Sequence, residues 1–448
     1  MSAPPRALDN PCLILVKNRP NATSRQATRE SDIQPALQKL TKTNLDRTAD
    51  GLAAAIAASL PWSTSATSIL VVIWLVAVIP TLSWPGLRQE LVTSAGGLPV
   101  LLWLFAFVGI FWADVTVSER FSALGSYHKL LVIPLLLFQF RRSERIHWVT
   151  ISFLASSIVL ALISWLPVFY RPWADSIWRK WEGVPVHDYI SQIAIFQLCA
   201  LGLIYAAFDA WRGQHKRHAV IFVALAVLFL GNLAYVVSSR TAILLMPALF
   251  LLFAFRLYRW HGAIITGIAI AVLSVVAWSS SHSLQTRFQN FVAQIAAGTT
   301  ANEITASAFR IEFYKKALAI IAKAPIVGHG TGTIRAEFET SSIGKSGIDA
   351  VITNNPHNQT LTVAIQLGIL GALALWAMWI AHLLLFRNLG MIEWFGFLVV
   401  AQNIFSCLVN SHLSDFTEGW IYVVGVGALG GAALRGSRNA LIDKPDAC

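Results

Sequence analysis

Charge is what this sequence has least of. Only 13% of its 448 residues are Asp, Glu, Lys or Arg. A soluble domain uses about 25% to cover its surface, so a water-exposed globule is excluded. Cysteine is scarce too: Cys12, Cys199, Cys407 and Cys448 form no CxxC pair. Two of them stand inside apolar runs, which excludes a disulfide framework and argues against a zinc site. There is no HExxH, no comparable pair among the outward His187, His282, His329 and His412, no GxSxG, no internal repeat and no low-complexity tract. A secretory signal is not expected, because residues 1–49 are polar and the apolar stretch Cys12–Val16 is shorter than a signal core.

What is present is apolar residue: 56% of the chain, with a mean hydropathy of +0.60. It comes in runs near 68–84, 97–113, 122–139, 147–167, 189–209, 219–237, 241–258, 262–279, 360–385, 392–409 and 418–435. Each is about long enough to cross a bilayer. Basic connectors set the phase. Arg141, Arg142 and Arg145, then Arg212, Lys216 and Arg217, then Arg259, Arg387, Arg435 and Arg438 fall on one side, read as cytoplasmic by the positive-inside rule. The leader holds eight Lys/Arg and belongs on that side as well. Eleven crossings would put it on the other. The short apolar segment Gly51–Trp62, ending near Pro61, therefore reads as a first helix, extended by preceding residues and paired in a tight hairpin with 68–84.

The expected fold is all-α and polytopic, with about 12 transmembrane helices and both termini inside. Residues 1–49 form a cytoplasmic leader, 50–279 carry helices 1–9, 280–359 form one large outward loop, 360–435 carry helices 10–12, and 436–448 are a cytoplasmic tail. A connection as long as 280–359 between two spans points to function.

The net charge of +11 divides by topology. Much of it lies in the leader and inner loops, as the positive-inside rule requires. A smaller share lies outward, where residues 280–356 hold seven Lys/Arg against five Asp/Glu. That excess suits an anionic ligand such as a phosphate or diphosphate.

Several outward residues stand out. Ser307–Lys323 has helical periodicity, with Phe309, Phe313, Ala317 and Ile320 on one side. It reads either as an amphipathic helix on the membrane surface or as a helix carrying Arg310 over a central cavity; spacing favours the first. Ala324–Gly332 alternates Gly328, Gly330 and Gly332. Such a loop either offers backbone N–H groups to an anion or is a flexible turn, and it is not a P-loop. Arg240, in Ser238-Ser239-Arg240-Thr241, joins two apolar runs with hardly any loop. An arginine there snorkels, or faces the mouth of the bundle as a functional cation. His357 follows Pro356 at the start of a span, where the positive helix end favours a neutral imidazole base; an ordinary interfacial histidine is the plainer alternative. Arg120 and His187 are weaker candidates held by topology alone.

These pieces resemble the O-antigen ligase family of Gram-negative inner membranes, whose pattern is shared with O-antigen polymerases and some protein O-oligosaccharyltransferases. The likeness rests on Ser239-Arg240-Thr241, on Arg310 followed by Ala324–Gly332, and on His357-Asn358-Gln359-Thr360-Leu361 leading to Gln366-Leu367-Gly368-Ile369-Leu370-Gly371. It spans residues about 50–435. The resemblance implies a GT-C type membrane glycosyltransferase, inverting and metal-independent, with no cofactor. The donor would be polysaccharide on undecaprenyl diphosphate, the acceptor the terminal sugar of lipid A–core, the place the periplasmic face of the inner membrane, and the product lipopolysaccharide. By motif match His357 would be the general base, and Arg240 and Arg310 would hold the diphosphate. A polymerase using the same lipid-linked donor is the alternative, and a membrane transporter the reading from another class. No nucleic acid is implied.

The charge pattern predicts that a reporter fused at residue 20 and one fused after Arg438 both report a cytoplasmic position. A periplasmic signal at residue 20 would break the parity argument.

Overall fold

The computed structural model describes residues 43–178, 182–237, 240–280 and 306–442. Every element among them is helical. Helix α1 covers 43–59, taking in the segment expected from Gly51 together with the residues before it. The chain reverses at 60–63 into α2 (Thr64–Val78), whose first turn is capped by the Ser63 hydroxyl accepting from the Ala66 N–H. The hairpin is tied at its base. Trp74 Nε1 donates to Gln139, Gln139 donates to Asp50, and Arg145 pairs with Asp50 at 3.1 Å. At its tip Trp62 Nε1 donates to Ser156. Ser156 lies inside α7 (Ile146–Phe169), which runs on well past it. The hairpin therefore stops part-way along α7 and returns to the end where it entered. Parity is indifferent to that depth, because a partial and a full hairpin come back to the same side.

The chain continues through α3 (Trp84–Val92) and α4 (Ser94–Gly109), bent by 83° from each other. Then come α5 (Val117–His128), α6 (Val132–Phe140), α7, the single turn α8 (Ala174–Ile177), α9 (Tyr189–Arg212), α10 (Lys216–Tyr235) and α11 (Arg240–Ser280). After residues 281–305, which lie outside the described residues, follow α12 (Ala306–Ile321), α13 (Ile334–Ser342), α14 (Gln359–Leu385), α15 (Met391–Cys407) and α16 (Phe416–Ile442). Helix α11 is broken at Arg259 (φ 56°, ψ −143°). The apolar runs 241–258 and 262–279 thus fall on either side of a real break.

Eight of the described helices are long and apolar enough to cross a membrane, or nine if the bent α3–α4 pair is one span; α15 is a shorter apolar helix. Among the described residues the chain is all-helical, as a multi-pass membrane protein requires. Burial separates centre from rim: 89% of Phe416–Ser437 is buried against 17% of Leu245–Val272. Rim positions such as Val72, Val76, Val220, Ile264 and Ile268 expose apolar side chains, which is stable only where the solvent is hydrocarbon.

The basic connectors gather at one end. Arg141 pairs with Glu90 at 2.8 Å, Arg256 donates to the Phe386 and Asn388 carbonyls, and Tyr205 donates to the Leu389 carbonyl. At the opposite end the segment 324–333 interlocks with α14. Helix α14 is broken at Gly368 (φ 63°, ψ −161°), and its freed backbone groups are taken by that segment. The His329 and Gly330 N–H groups donate to Ile365 and Gln366 at 2.9 Å each, and Ile369 N–H donates to Pro325 at 2.8 Å. Thr331 N–H donates to Gly109, Gly332 N–H to Gln366 Oε1, and Gly328 N–H to Ala324. The glycine loop is neither an anion nest nor a flexible turn: its amides are used inside the protein. Glycine is required where the two backbones touch. A Cβ on Gly328 would stand 2.4 Å from the Gln366 carbonyl carbon, and one on Gly368 2.2 Å from the Ile326 oxygen.

Replacing Gly368 with Ala is expected to cost about 1–3 kcal/mol, since both a left-handed φ and a backbone clash are imposed. Gly344→Ala, with φ 73° and open space around it, should cost only about 1 kcal/mol of backbone strain. Thermal unfolding of the two variants in detergent checks the order; equal losses would remove the interlock from the account.

Candidate active site

Helix α12 begins the site. The face expected from periodicity is the face it buries: Phe313, Ala317 and Ile320 pack with Ile334 and Phe338 of α13 and Ile365 of α14. Lys316, on the same helix, is buried and donates to Ser342 Oγ and the Val351 carbonyl at 3.0 Å each. Burial lowers its pKa, with Lys345 adding repulsion. Ile311 and Leu318 remain exposed on the other side. So α12 is docked on protein along its apolar stripe rather than simply lying on a bilayer, and the docking fixes Arg310 near its start.

His357 sits one residue before the Asn358 cap of α14, whose side chain accepts from the Leu361 N–H at 3.1 Å. His357 has φ 56°, a left-handed conformation rare for a non-glycine residue. Three contacts hold it there. Its N–H donates to Asn355 Oδ1 at 2.8 Å, the Tyr314 hydroxyl lies 2.9 Å from its carbonyl, and Phe313 stacks on its ring at 6.2 Å between centroids. Its Nδ1 lies 2.9 Å from Asn410 Oδ1. Strain retained at such cost marks functional positions.

Asn410 belongs to the connection between α15 and α16, and this connection is pinned on every side. Asn358 Nδ2 donates to the Leu408 carbonyl at 3.0 Å. Ser411 donates to Asn355 Oδ1 and meets Thr362, each at 2.8 Å. Gln359 Nε2 donates to Ser414 Oγ at 2.9 Å, and Lys129 Nζ donates to the Ser414 and Asp415 carbonyls. His412 is buried in the same loop. Its surroundings lower its pKa to about 4, chiefly by desolvation, with Arg310 and His357 adding repulsion and Asp188 opposing them. It is therefore neutral at pH 7. Burial raises the Asp415 carboxyl to about 6, with Lys129 pulling it down and Asp188 pushing it up. Arg310 is thus close enough to act on His412, and it also offsets the burial that raises the Tyr314 phenol.

The structure brings His357 and Arg310 into one region. Arg240 opens α11, and its side chain lies outside the described residues. Arg120 donates Nε and Nη1 to the Val115 and Ile110 carbonyls at 2.9 and 3.1 Å, which closes the turn before α5. The helix that follows starts with a capping box between Thr116 and Glu119. His187 has φ 58° and a buried Nε2 without a hydrogen-bond partner; desolvation lowers its pKa while Asp188 opposes. Asp188 caps α9, accepting from the Ile190 and Ser191 N–H groups. Ser191 in turn donates to Glu418 at 2.8 Å.

Below the pinned loop, a small cavity lined by His412, Glu418, Gln402 and Asn403 shares Leu198, Val399 and Ile421 with an apolar chamber of about 350 Å³. The chamber runs between α1, α7, α9, α15 and α16. Sequence reasoning placed His357 and Arg310 but missed Tyr314, Asn355 and Asn410. The one sequence signal for the last is the polar run Asn410–Asp415 between two apolar helices.

Residues 225–376 match the family described as O-antigen ligase. That stretch, about a third of the chain, is similar to the O-antigen ligase family and supports an assignment there. The match runs from α10 into α14. It takes in Arg240, Arg310 and His357, and ends before the 408–415 loop. No curated protein matches the chain. The match supports a ligase- or polymerase-type function.

Tyr314→Phe removes the hydroxyl that bridges α12 to His357 and Leu408. The variant is expected to lose about 1 kcal/mol of stability, with transfer reduced but not abolished. Unfolding and turnover measured on the same sample check this; an unchanged unfolding curve would show the clamp to be idle.

Proposed function

We propose that this chain is an O-antigen ligase of the GT-C type that moves polysaccharide from undecaprenyl diphosphate to the terminal sugar of lipid A–core. The work would take place at the periplasmic face of the inner membrane, in a protein of about twelve membrane helices, the first two paired as a hairpin, with residues 280–359 as the large periplasmic loop. The observation that carries the reading is His357: strained, held by Asn355, Tyr314 and Asn410, and set beside the helix of Arg310. The apolar chamber under the site suits a substrate that arrives on a hydrocarbon chain.

In this reading the acceptor hydroxyl oxygen attacks the anomeric carbon, and His357 takes its proton. The bond from that carbon to the diphosphate oxygen breaks, leaving the diphosphate on its lipid carrier. Arg240 and Arg310 face the negative charge that grows there. One direct displacement inverts the anomeric centre, and no metal or cofactor takes part. Arg120 and His187 have supporting places, the first closing a turn and the second beside Asp188. A polymerase would use the same donor with a second lipid-linked glycan as acceptor.

The test is transfer from undecaprenyl-diphosphate glycan to purified lipid A–core with EDTA present. Transfer is expected to persist in EDTA. His357→Ala should lose about 10²–10⁴-fold, and Arg240→Ala and Arg310→Ala about 10²–10³-fold each. Retained transfer in any of these variants removes that residue from the mechanism. Elongation of donor glycan without transfer to the core selects the polymerase.

A further inference from the structure

We infer that Asn410 is the positioning residue that sets the tautomer of His357, so that Nε2 is the nitrogen that receives the acceptor's proton. The inference rests on the reading of His357 as the base and goes beyond it, because it names the atom that works and the residue that makes it work. Asn410 also lies outside the stretch that matches the family.

A neutral imidazole carries one proton, on Nδ1 or on Nε2, and only the other nitrogen has a lone pair to offer. Here Nδ1 faces the side-chain oxygen of Asn410 at 2.9 Å. A carbonyl oxygen accepts and cannot donate, so it selects the form with the proton on Nδ1. The lone pair is then on Nε2. Without that oxygen the two tautomers would compete, and part of the population would turn a protonated nitrogen toward the substrate.

The remaining contacts fix other degrees of freedom. Asn355 and Tyr314 hold the backbone of His357, and Phe313 sets the plane of its ring. Of the hydrogen bonds described for the ring, the one to Asn410 alone bears on where its proton sits. Asn410 is itself only 8% exposed. The loop that carries it is tied to Asn355, Asn358, Gln359 and Lys129, so its side chain is presented from a rigid frame.

The choice of an amide over a carboxylate is also explained. A carboxylate at this place would select the same tautomer but would favour the protonated ring. It would also add negative charge near a diphosphate donor. The charged or titratable groups around His357 are Arg310 and Tyr314 of α12, His412 of the same loop as Asn410, and Asp188, Asp415 and Lys129 behind it. An amide sets the proton's place and leaves that balance alone.

The experiment uses the full chain in lipid nanodiscs, with undecaprenyl-diphosphate glycan as donor and lipid A–core as acceptor. Asn410→Leu should lower kcat about 5–10-fold, because only the fraction with the proton on Nδ1 keeps a free Nε2, with KM for the donor near its original value. The near-isosteric Asn410→Asp should recover much of the rate and move the acidic limb of the kcat/KM profile to higher pH. The tautomer readout below is the one a purely structural role would leave in place. On the resting protein, ¹⁵N shifts of the His357 ring, assigned by difference with His357→Gln, should show a protonated Nδ1 in the original chain and a tautomer mixture in Asn410→Leu. Full activity in Asn410→Leu, or an unmoved pH limb in Asn410→Asp, overturns the assignment. If His357→Ala itself keeps its activity, the base reading has failed instead, and the two failures are told apart by that control.

Discussion

A backbone-to-backbone interlock governs the rest of the molecule. Helix α14 breaks at Gly368, inside a bundle where water is not at hand to satisfy freed amides and carbonyls. Residues 324–333 supply partners for several of them. Such a break is tolerated at membrane depth only where protein takes up the opened hydrogen bonds. The glycines at 328 and 368 let the two chains touch. Because 324–333 follows directly on α12, fastening it also fastens the helix that bears Arg310.

From that anchor the site is built from two directions. Helix α12 approaches His357 through Phe313 and Tyr314, and the 408–415 loop approaches it through Asn410. Neither side needs a charged pair. The work is done by amide and hydroxyl groups that satisfy one another, with Lys129 serving only carbonyls of the loop. A left-handed histidine would relax in a loose loop. Here it is held by more bonds than its own backbone requires, and the cost of the conformation is offset by the frame around it.

The surrounding bundle divides by burial. The most buried spans, such as α9 and α16, present polar side chains at the site end, including Gln192, Gln197 and Glu418. The rim spans α10 and α11 show apolar surface outward. Between the two zones the apolar chamber opens beneath a polar roof of His412, Glu418, Gln402 and Asn403. That shape suits the donor proposed above, which has a charged head and a hydrocarbon tail.

Composition and periodicity by themselves determined a good deal. Runs of apolar residues long enough to cross a bilayer fix an all-helical, multi-pass chain, since only internally bonded helices survive there without a closed barrel. Basic connectors give an expected sidedness, because cations are kept on the cytoplasmic side. The stripe Phe309, Phe313, Ala317 and Ile320 told which face of α12 is buried, because helical periodicity is local. What only the tertiary structure decided depends on contacts between residues far apart in the chain. The hairpin at 60–63 stops at Ser156, the glycine loop closes a break some forty residues later, and Asn410 meets His357 across 53 positions. No local pattern encodes such meetings, since each is chosen by the packing of whole helices. That is why the histidine was legible in the sequence, and the amide that faces its Nδ1 only in the fold.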